Sequence, residues 1–359
     1  MKILQCISSL EGGGAEKQFG YLCESLSALG HDIVAVSIRR GPNLDRVLNS
    51  GATYVQVRSL GNFDPLVIWR LRRLVQSHKP DLVQSWIPQM DILMGLVCAL
   101  EKIPHVISER TSAAGLTSGW REFFRVAIAR RASAIVANGL GGEEYWRSRA
   151  TCIPTVIIPN SIPFSDIESA VPFSESDIGL KPGDELVVYL GQLIQIKNIS
   201  NLVSALIEVV SRRRQTQAVF VGEGPLSALI SSTVVEAGYG DQIRVVPFST
   251  APFRWLKRAE LFVSVSEFEG NPNAVLEAIA AECPVVVSDI PAHREFLDDL
   301  SAKFVSGRSS ASIAAGILAS LENPGEAQAR AALARKRLAT RTGISVAQRY
   351  VDVYEKILS

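Results

Sequence analysis

Short apolar runs rich in Val and Ile alternate along the chain with longer segments whose apolar residues recur at helical spacing. Such runs suit strands covered on both faces, and their alternation with helices predicts βαβ units around buried parallel sheet. Strands are expected at 2–8, 33–38, 53–57, 81–85, 104–108 and 134–137. A second series follows at 185–190, 217–221, 243–246, 260–264 and 284–287, with helices near 198–213, 225–237, 272–281 and 310–322. Between the two series lies "IIPNSIPFSDIESAVPFSESDIGLKPGDE", rich in Pro, Ser and Asp, which reads as a crossover and linker. The final stretch "GISVAQRYVDVYEKIL" carries Val346, Tyr350, Val353, Tyr354 and Leu358 at helical spacing and predicts an amphipathic helix.

With 359 residues the chain is long enough for two domains, each with its own core. A composition of 47% hydrophobic and 20% charged residues is that of a folded protein rather than a disordered one. Five scattered cysteines without CxxC spacing and four histidines without ligand spacing indicate neither a disulfide framework nor a zinc site, and fit a reducing compartment. The opening "MKILQCISSLEGGG" is a strand running into a glycine turn, so no secretion signal is expected there. The longest apolar candidate, "DILMGLVCAL", is too short to span a bilayer, which leaves only peripheral membrane contact.

Charge is divided unevenly. Residues 1–160 hold 18 Lys and Arg against 13 Asp and Glu, and the remainder 19 against 23. Much of the basic excess lies beside aromatics, in "VIWRLRRLV" (Trp69, Arg70, Arg72, Arg73) and "GWREFFRVAIARRA" (Trp120, Arg121, Phe123, Phe124, Arg125, Arg130, Arg131). Two readings stand: a surface for an anionic membrane or anionic substrate, or solvated helix faces whose aromatics are core. A net charge of +1 and the lack of a binding motif argue against nucleic acid.

The chemistry concentrates in "SEFEGNPNAVLEAIAAECPVVVSDIP", residues 266–291. Asn271 is a good N-cap and Pro272 suits a first helical position, so a helix is expected from about 272. The free N–H groups of Asn273, Ala274 and Val275, with the positive end of the helix dipole, would then form a phosphate site. Glu277, further in, leans back toward that mouth, and Glu269 stands just outside it. Two acids repel a bare anion but suit hydroxyl-bearing groups on either side of a phosphate, and the corner Glu269-Gly270-Asn271 thus reads as a grip for a nucleotide sugar.

The seven-residue gap between Glu269 and Glu277 resembles the E-x7-E signature of the retaining GT-B glycosyltransferases of family 4. Four more stretches match in the family's order: "EGGGAEK", "IIPNSI", "LGQLIQIKNISNLVSAL" and "VFVGEGP". The resemblance covers nearly the whole chain. It implies an α/β, GT-B fold of two facing Rossmann-like domains with parallel sheets and a C-terminal helix crossing back to the N-terminal domain. The divisions it suggests are 1–163 on the acceptor side, 164–342 on the nucleotide-sugar side, and 343–359 for the returning helix. It further implies that Lys197 neutralises the donor diphosphate, that Glu277 holds the ribose, and that Glu269 contacts the transferred sugar. Gly13 and Gly14 would let a loop approach the phosphates. The donor would be UDP-linked; the basic, aromatic N-terminal half suggests a lipid-linked or cell-surface glycan as acceptor, with the protein in the cytoplasm or at the inner face of a membrane. No cofactor is implied, and the lack of any Asp-x-Asp argues against the metal-dependent type of enzyme.

Two positions depart from the family. Gln192 stands where an arginine is usual and cannot carry charge. In "ISERTS", Ser108, Glu109 and Arg110 occupy the place where a histidine is frequent, and Glu109 and Arg110 become candidates for a compensating or acceptor-side role, with Arg110 the replacement cation. His31 and His293 read as loop or surface residues. A GT-B nucleotide-sugar epimerase and a non-catalytic sugar-binding protein remain as alternative readings.

Overall fold

The structure, a computed structural model, describes every residue except 60, 62, 63, 65, 111–118, 151 and 250, and the backbone alone at 120 and 121. Part of "ISERTS" and the side chains of Trp120 and Arg121 therefore lie outside the described residues. The chain divides into two compact units, one of residues 1–161 and 341–359, the other of 162–340.

The first unit is built on a seven-stranded sheet of β1 (Lys2–Ser9), β2 (Asp32–Arg39), β3 (Thr53–Gln56), β4 (Leu82–Trp86), β5 (His105–Glu109), β6 (Ala134–Ala137) and β7 (Thr155–Ile157). All pairings are parallel, in the order β3-β2-β1-β4-β5-β6-β7. The second unit has six parallel strands, β8 (Glu185–Leu190), β9 (Thr216–Val221), β10 (Ile243–Val246), β11 (Leu261–Ser264), β12 (Val285–Ser288) and β13 (Lys303–Val305), in the order β10-β9-β8-β11-β12-β13. In both sheets the direction of strand succession reverses beside the first strand, between β1 and β4 and between β8 and β11. The loops after those strands diverge there and leave a crevice at the carboxyl ends, where doubly wound sheets bind their ligands.

Two strands, β7 and β13, and the helix Pro324–Leu338 were not expected from the pattern. Each of the strands has only three residues. The helix buries Ala327, Ala331, Ala334 and Leu338, a face made mostly of methyl groups and hence faint in hydrophobicity.

The terminal helix Gly343–Leu358 packs on the helix Gly14–Ala28 within the first unit, as the resemblance implied. Gly343 permits the contact, since a Cβ there would lie 2.5 Å from Ser25 Oγ. Its buried Tyr354 joins a polar ladder. Gln5 Nε2 donates to the Tyr354 hydroxyl at 3.2 Å, that hydroxyl donates to Gln84 Oε1, and Trp86 Nε1 donates to Gln5 Oε1 at 2.8 Å. Tyr354→Phe strands two buried amides and should destabilise the protein by about 1–3 kcal/mol, read as a lower urea midpoint with an unchanged m-value.

Of the two readings of the basic, aromatic stretches, aromatics in the core does not hold for Trp69, Phe123 and Phe124. Phe123 is 72% and Phe124 51% exposed, and Trp69 stands out with Arg73 stacked 4.3 Å from its ring centroid. Arg125 is buried instead. Its Nη2 lies 2.7 Å from Asp91 Oδ2 and its Nη1 2.8 Å from Glu109 Oε2. Trp146 Nε1 donates to the same Glu109 oxygen at 3.0 Å. This corrects the sequence reading of Glu109: the carboxylate is internal and neutralises a buried arginine, so an acceptor has no access to it. Removing Glu109 would leave Arg125 paired with Asp91 alone and take the acceptor from Trp146 Nε1.

His105 completes this network. Ser85 donates its only hydroxyl hydrogen to Asp91 Oδ1 at 2.6 Å, so His105 Nε2, 2.8 Å from Ser85 Oγ, is the donor of that pair. Burial pushes the imidazole pKa down to about 4 from 6.5. The folded state then binds no proton at pH 5 while the unfolded chain does. This share of stability is present above pH 6.5 and lost as pH falls toward 4, by about 3 kcal/mol in all. Denaturant titrations from pH 7 to 4.5 should show the slope, and His105→Gln should flatten it.

Candidate functional site

In the second unit the switch point between β8 and β11 gathers most of the residues singled out in sequence. After β8 the chain turns through Gly191, at φ +151°, and Gln192 into a short 3-10 turn, Gln195–Lys197. Asn198 follows in the left-handed region, at φ 57°, a conformation that asparagine tolerates, and starts the helix Ile199–Arg212. Its Nδ2 donates to the carbonyl oxygens of Val265 at 3.1 Å and Gly307 at 2.6 Å. The Glu267 amide donates to the Ile196 carbonyl at 3.0 Å. These bonds lace the loop after β8 to the loop after β11.

The lacing brings Lys197 and Glu269 together across 72 residues of sequence, with Nζ 2.5 Å from Glu269 Oε1. Ser266 Oγ donates to the same oxygen at 2.7 Å. The pair is largely but not wholly shielded, the lysine side chain 25% and the glutamate 13% exposed, so ligand can reach both. A carboxylate held by a lysine and a hydroxyl is preorganised.

The loop after β9 props this arrangement. A Cβ on Gly222 would come within 1.9 Å of the Gly191 carbonyl, and one on Gly224 within 2.4 Å of the Leu193 carbonyl. The Leu193 amide donates to the Glu223 carbonyl at 2.9 Å and Tyr189 donates to the Gln192 carbonyl at 2.9 Å. The "GEG" at 222–224 is thus where two loop backbones touch, and it fixes Gln192.

Beyond Glu269 the chain passes Gly270 and the buried Asn271 into the helix Asn273–Ala280. The sequence reading places the cap at Asn271 and Pro272 inside the helix; the structure shifts this by one residue. Pro272 is extended, at φ −76° and ψ 98°, and its carbonyl accepts the first helical bond from Leu276 at 3.1 Å. The amides of Asn273, Ala274 and Val275 fall in the first turn, ahead of that bond. Glu277 is 3% exposed, within the buried run Val275–Ala280. A carboxylate so placed is not the surface charge of an ordinary helix.

The remaining candidates belong to the first unit. Gly13 caps the helix Gly14–Ala28 after β1, and a Cβ on Gly13 would clash with Glu16 Oε2 at 2.0 Å. Arg110 lies over the Trp86 ring, 4.3 Å from its centroid, and donates to Ser108 Oγ at 3.0 Å, Asn160 Oδ1 at 2.9 Å and the Tyr350 hydroxyl. A phosphate would have to compete with these partners. His293, read as a loop or surface residue, lies in the short turn Pro291–Arg294 and is wholly buried. Asn198 and Ser266 escaped the sequence reading; a Lys-Asn pair opening a helix was the one available signal for the former.

Among the described residues no cluster of His, Cys, Asp and Glu could hold a metal ion, and no helix is long and apolar enough to cross a membrane.

Comparison with known proteins matches both units. The profile described as "Glycosyltransferase Family 4" matches residues 12–165, and that of "Glycosyl transferases group 1" matches 172–337. The chain is 24% identical over 296 residues to the lipopolysaccharide core biosynthesis glycosyltransferase LpsD of Rhizobium meliloti, covering 80% of this chain and 78% of that protein. It is 27% identical over 161 residues to the N-acetylgalactosamine-N,N'-diacetylbacillosaminyl-diphospho-undecaprenol 4-alpha-N-acetylgalactosaminyltransferase of Campylobacter jejuni, a match spanning 44% of this chain and 42% of that one. Among solved structures, Anabaena HepE in complex with UDP and glucose superposes with a TM-score of 0.87 at 16% identity, covering 99% of this chain and 100% of that chain. The chain belongs to the group 1 glycosyltransferases and is an enzyme of GT-B fold.

Proposed function

We propose that the protein is a retaining glycosyltransferase that moves a sugar from a UDP-linked donor to a hydroxyl of a lipid-linked or cell-surface glycan. The observation that carries this reading is the meeting of Lys197 and Glu269 at a topological switch point, with the open mouth of the helix Asn273–Ala280 following four residues later. The amides of Asn273, Ala274 and Val275, with Gly270 and Asn271, take the diphosphate. Glu277 takes the ribose hydroxyls, and Gln192 adds a neutral contact.

Chemistry follows from charge. As the bond from the anomeric carbon to the phosphate oxygen breaks, negative charge grows on the departing diphosphate, and Lys197 and the helix amides stabilise it more than they stabilise the ground state. The acceptor oxygen bonds to the same face of the anomeric carbon, and its proton passes to the departing phosphate oxygen, so configuration is kept. Glu269 holds a hydroxyl of the transferred sugar and steadies the positive charge on its ring. No metal or cofactor takes part in this scheme.

Support for UDP comes from the Anabaena neighbour, solved with UDP and glucose. A lipid-linked acceptor accords with the diphospho-undecaprenol named for the Campylobacter relative, and with the exposed Trp69, Phe123 and Phe124 amid basic residues. Such a surface suits peripheral attachment at the inner, anionic face of a membrane. The test is a panel of UDP- and GDP-sugars scored for nucleotide release with and without lipid-diphosphate-linked saccharides. Acceptor-dependent UDP release giving a product of the donor's anomeric configuration is expected. Acceptor-independent release with an altered free sugar would mark an epimerase, and no release from any donor would contradict transfer.

A further inference from the structure

His293 has no part in the scheme above. It lies in the turn Pro291–Arg294 after β12 with no exposed surface. Its Nδ1 is 2.8 Å from the Ser288 carbonyl oxygen, which can only accept, so Nδ1 carries the hydrogen. Burial lowers the imidazole pKa and favours the neutral ring. Nε2 then bears a lone pair, and this buried atom has no hydrogen-bond partner among the described residues. Buried polar atoms without partners are rare in native folds and ask for a reason.

The neighbourhood supplies one. Ser288 Oγ donates to the Ser266 carbonyl at 2.7 Å, and Ser266 Oγ donates to Glu269 Oε1, the oxygen paired with Lys197. Three hydrogen bonds, through Ser288 and Ser266, thus tie the histidine turn to the ion pair. The charged groups that act on the ring are Glu269, Lys197 and Asp289. Of these only the lysine has hydrogens to give.

We propose that His293 Nε2 is the acceptor that receives Lys197 when a nucleotide-sugar diphosphate draws the ammonium off Glu269, making His293 a positioning residue for transfer. The inference rests on the reading of Lys197 and Glu269 as donor-site groups. In the ion pair one ammonium hydrogen goes to Glu269. Once the diphosphate binds and Glu269 turns to a sugar hydroxyl, the ammonium needs a protein acceptor opposite the phosphate to keep its direction. An uncharged imidazole provides this without placing a second negative charge against the diphosphate. While Lys197 is held by the carboxylate, the Nε2 lone pair has no partner among the described residues.

Two substitutions separate the ring nitrogens. His293→Asn keeps a donor toward Ser288 but has no acceptor at the Nε2 position, whereas His293→Gln can place an amide oxygen there. UDP affinity by calorimetry and steady-state kinetics with the accepted UDP-sugar should show His293→Asn weaker by about 10- to 100-fold in UDP affinity and in kcat/KM, with most of the loss recovered in His293→Gln. Added to Lys197→Ala, His293→Asn should cost nothing further, since the group it serves is gone. A His293→Asn variant as tight and as fast as the unaltered protein, beside an impaired Lys197→Ala, would overturn the proposal and leave the donor site standing. So would a loss of the same size in both backgrounds, in either histidine variant, which marks a structural role. An unimpaired Lys197→Ala would instead remove the donor-site reading itself.

Discussion

Replacing Lys197 with alanine is expected to lower kcat/KM by about 100- to 1000-fold, the usual consequence of deleting one preorganised group that stabilises developing charge. The loss should lie mainly in kcat, because the diphosphate gains most of its charge as the glycosidic bond breaks. Binding of UDP should weaken as well, by a smaller factor, since the helix amides remain. The fold should survive. Lys197 is partly exposed and makes one ion pair, so its removal frees Glu269 to water rather than stranding a buried charge. A melting temperature within a few degrees of the unaltered protein, together with the kinetic loss, separates chemistry from stability. Lys197→Arg tests whether charge alone suffices: the planar guanidinium is a poor substitute for the compact ammonium seated 2.5 Å from Glu269, and little recovery is expected.

Glu269→Gln should lower kcat by about 100-fold or more, with a modest change in KM for the donor. The amide keeps the shape and can still accept from Ser266, but it loses the charge that opposes the positive ring of the transferred sugar. It also releases Lys197 from its pair, which should let UDP itself bind as tightly or more tightly than before. That combination, slower turnover with undiminished nucleotide affinity, sets Glu269 apart from Lys197. Steady-state kinetics and calorimetry on the two variants side by side would show it. Equal loss of UDP affinity in both would mean that the carboxylate serves only to place the lysine.

Much of the architecture was legible because buried parallel strands are written in continuous Val and Ile, and eleven of the strands announce themselves in this way, from "ILQCIS" to "PVVV". What escaped has a physical reason in each case. The strands β7 and β13 are too short for a pattern, and the helix Pro324–Leu338 packs through alanines. At the site, the helix start could be read because Asn and Pro suit a cap and a first turn, although the exact first residue could not. The contact between Lys197 and Glu269 depends on strand order, which no local stretch encodes. Ser266 and Asn198 act through single hydrogen bonds from residue types common in any loop. Arg125 looked like one more surface charge, and only its distant carboxylates, Asp91 and Glu109, make its burial possible. His293 was misread for the same reason: a short polar turn, "DIPAHRE", gives no sign that its imidazole folds inward onto Ser288.

The most direct test of the account is a crystal structure of the protein with a bound UDP-sugar. The diphosphate should sit on the amides of Asn273, Ala274 and Val275 with N···O distances of about 2.7–3.2 Å, Lys197 should have left Glu269 for a phosphate oxygen, and Glu277 should hold the ribose. A UDP-sugar bound elsewhere, with that helix mouth vacant and the Lys197–Glu269 pair intact, would contradict it.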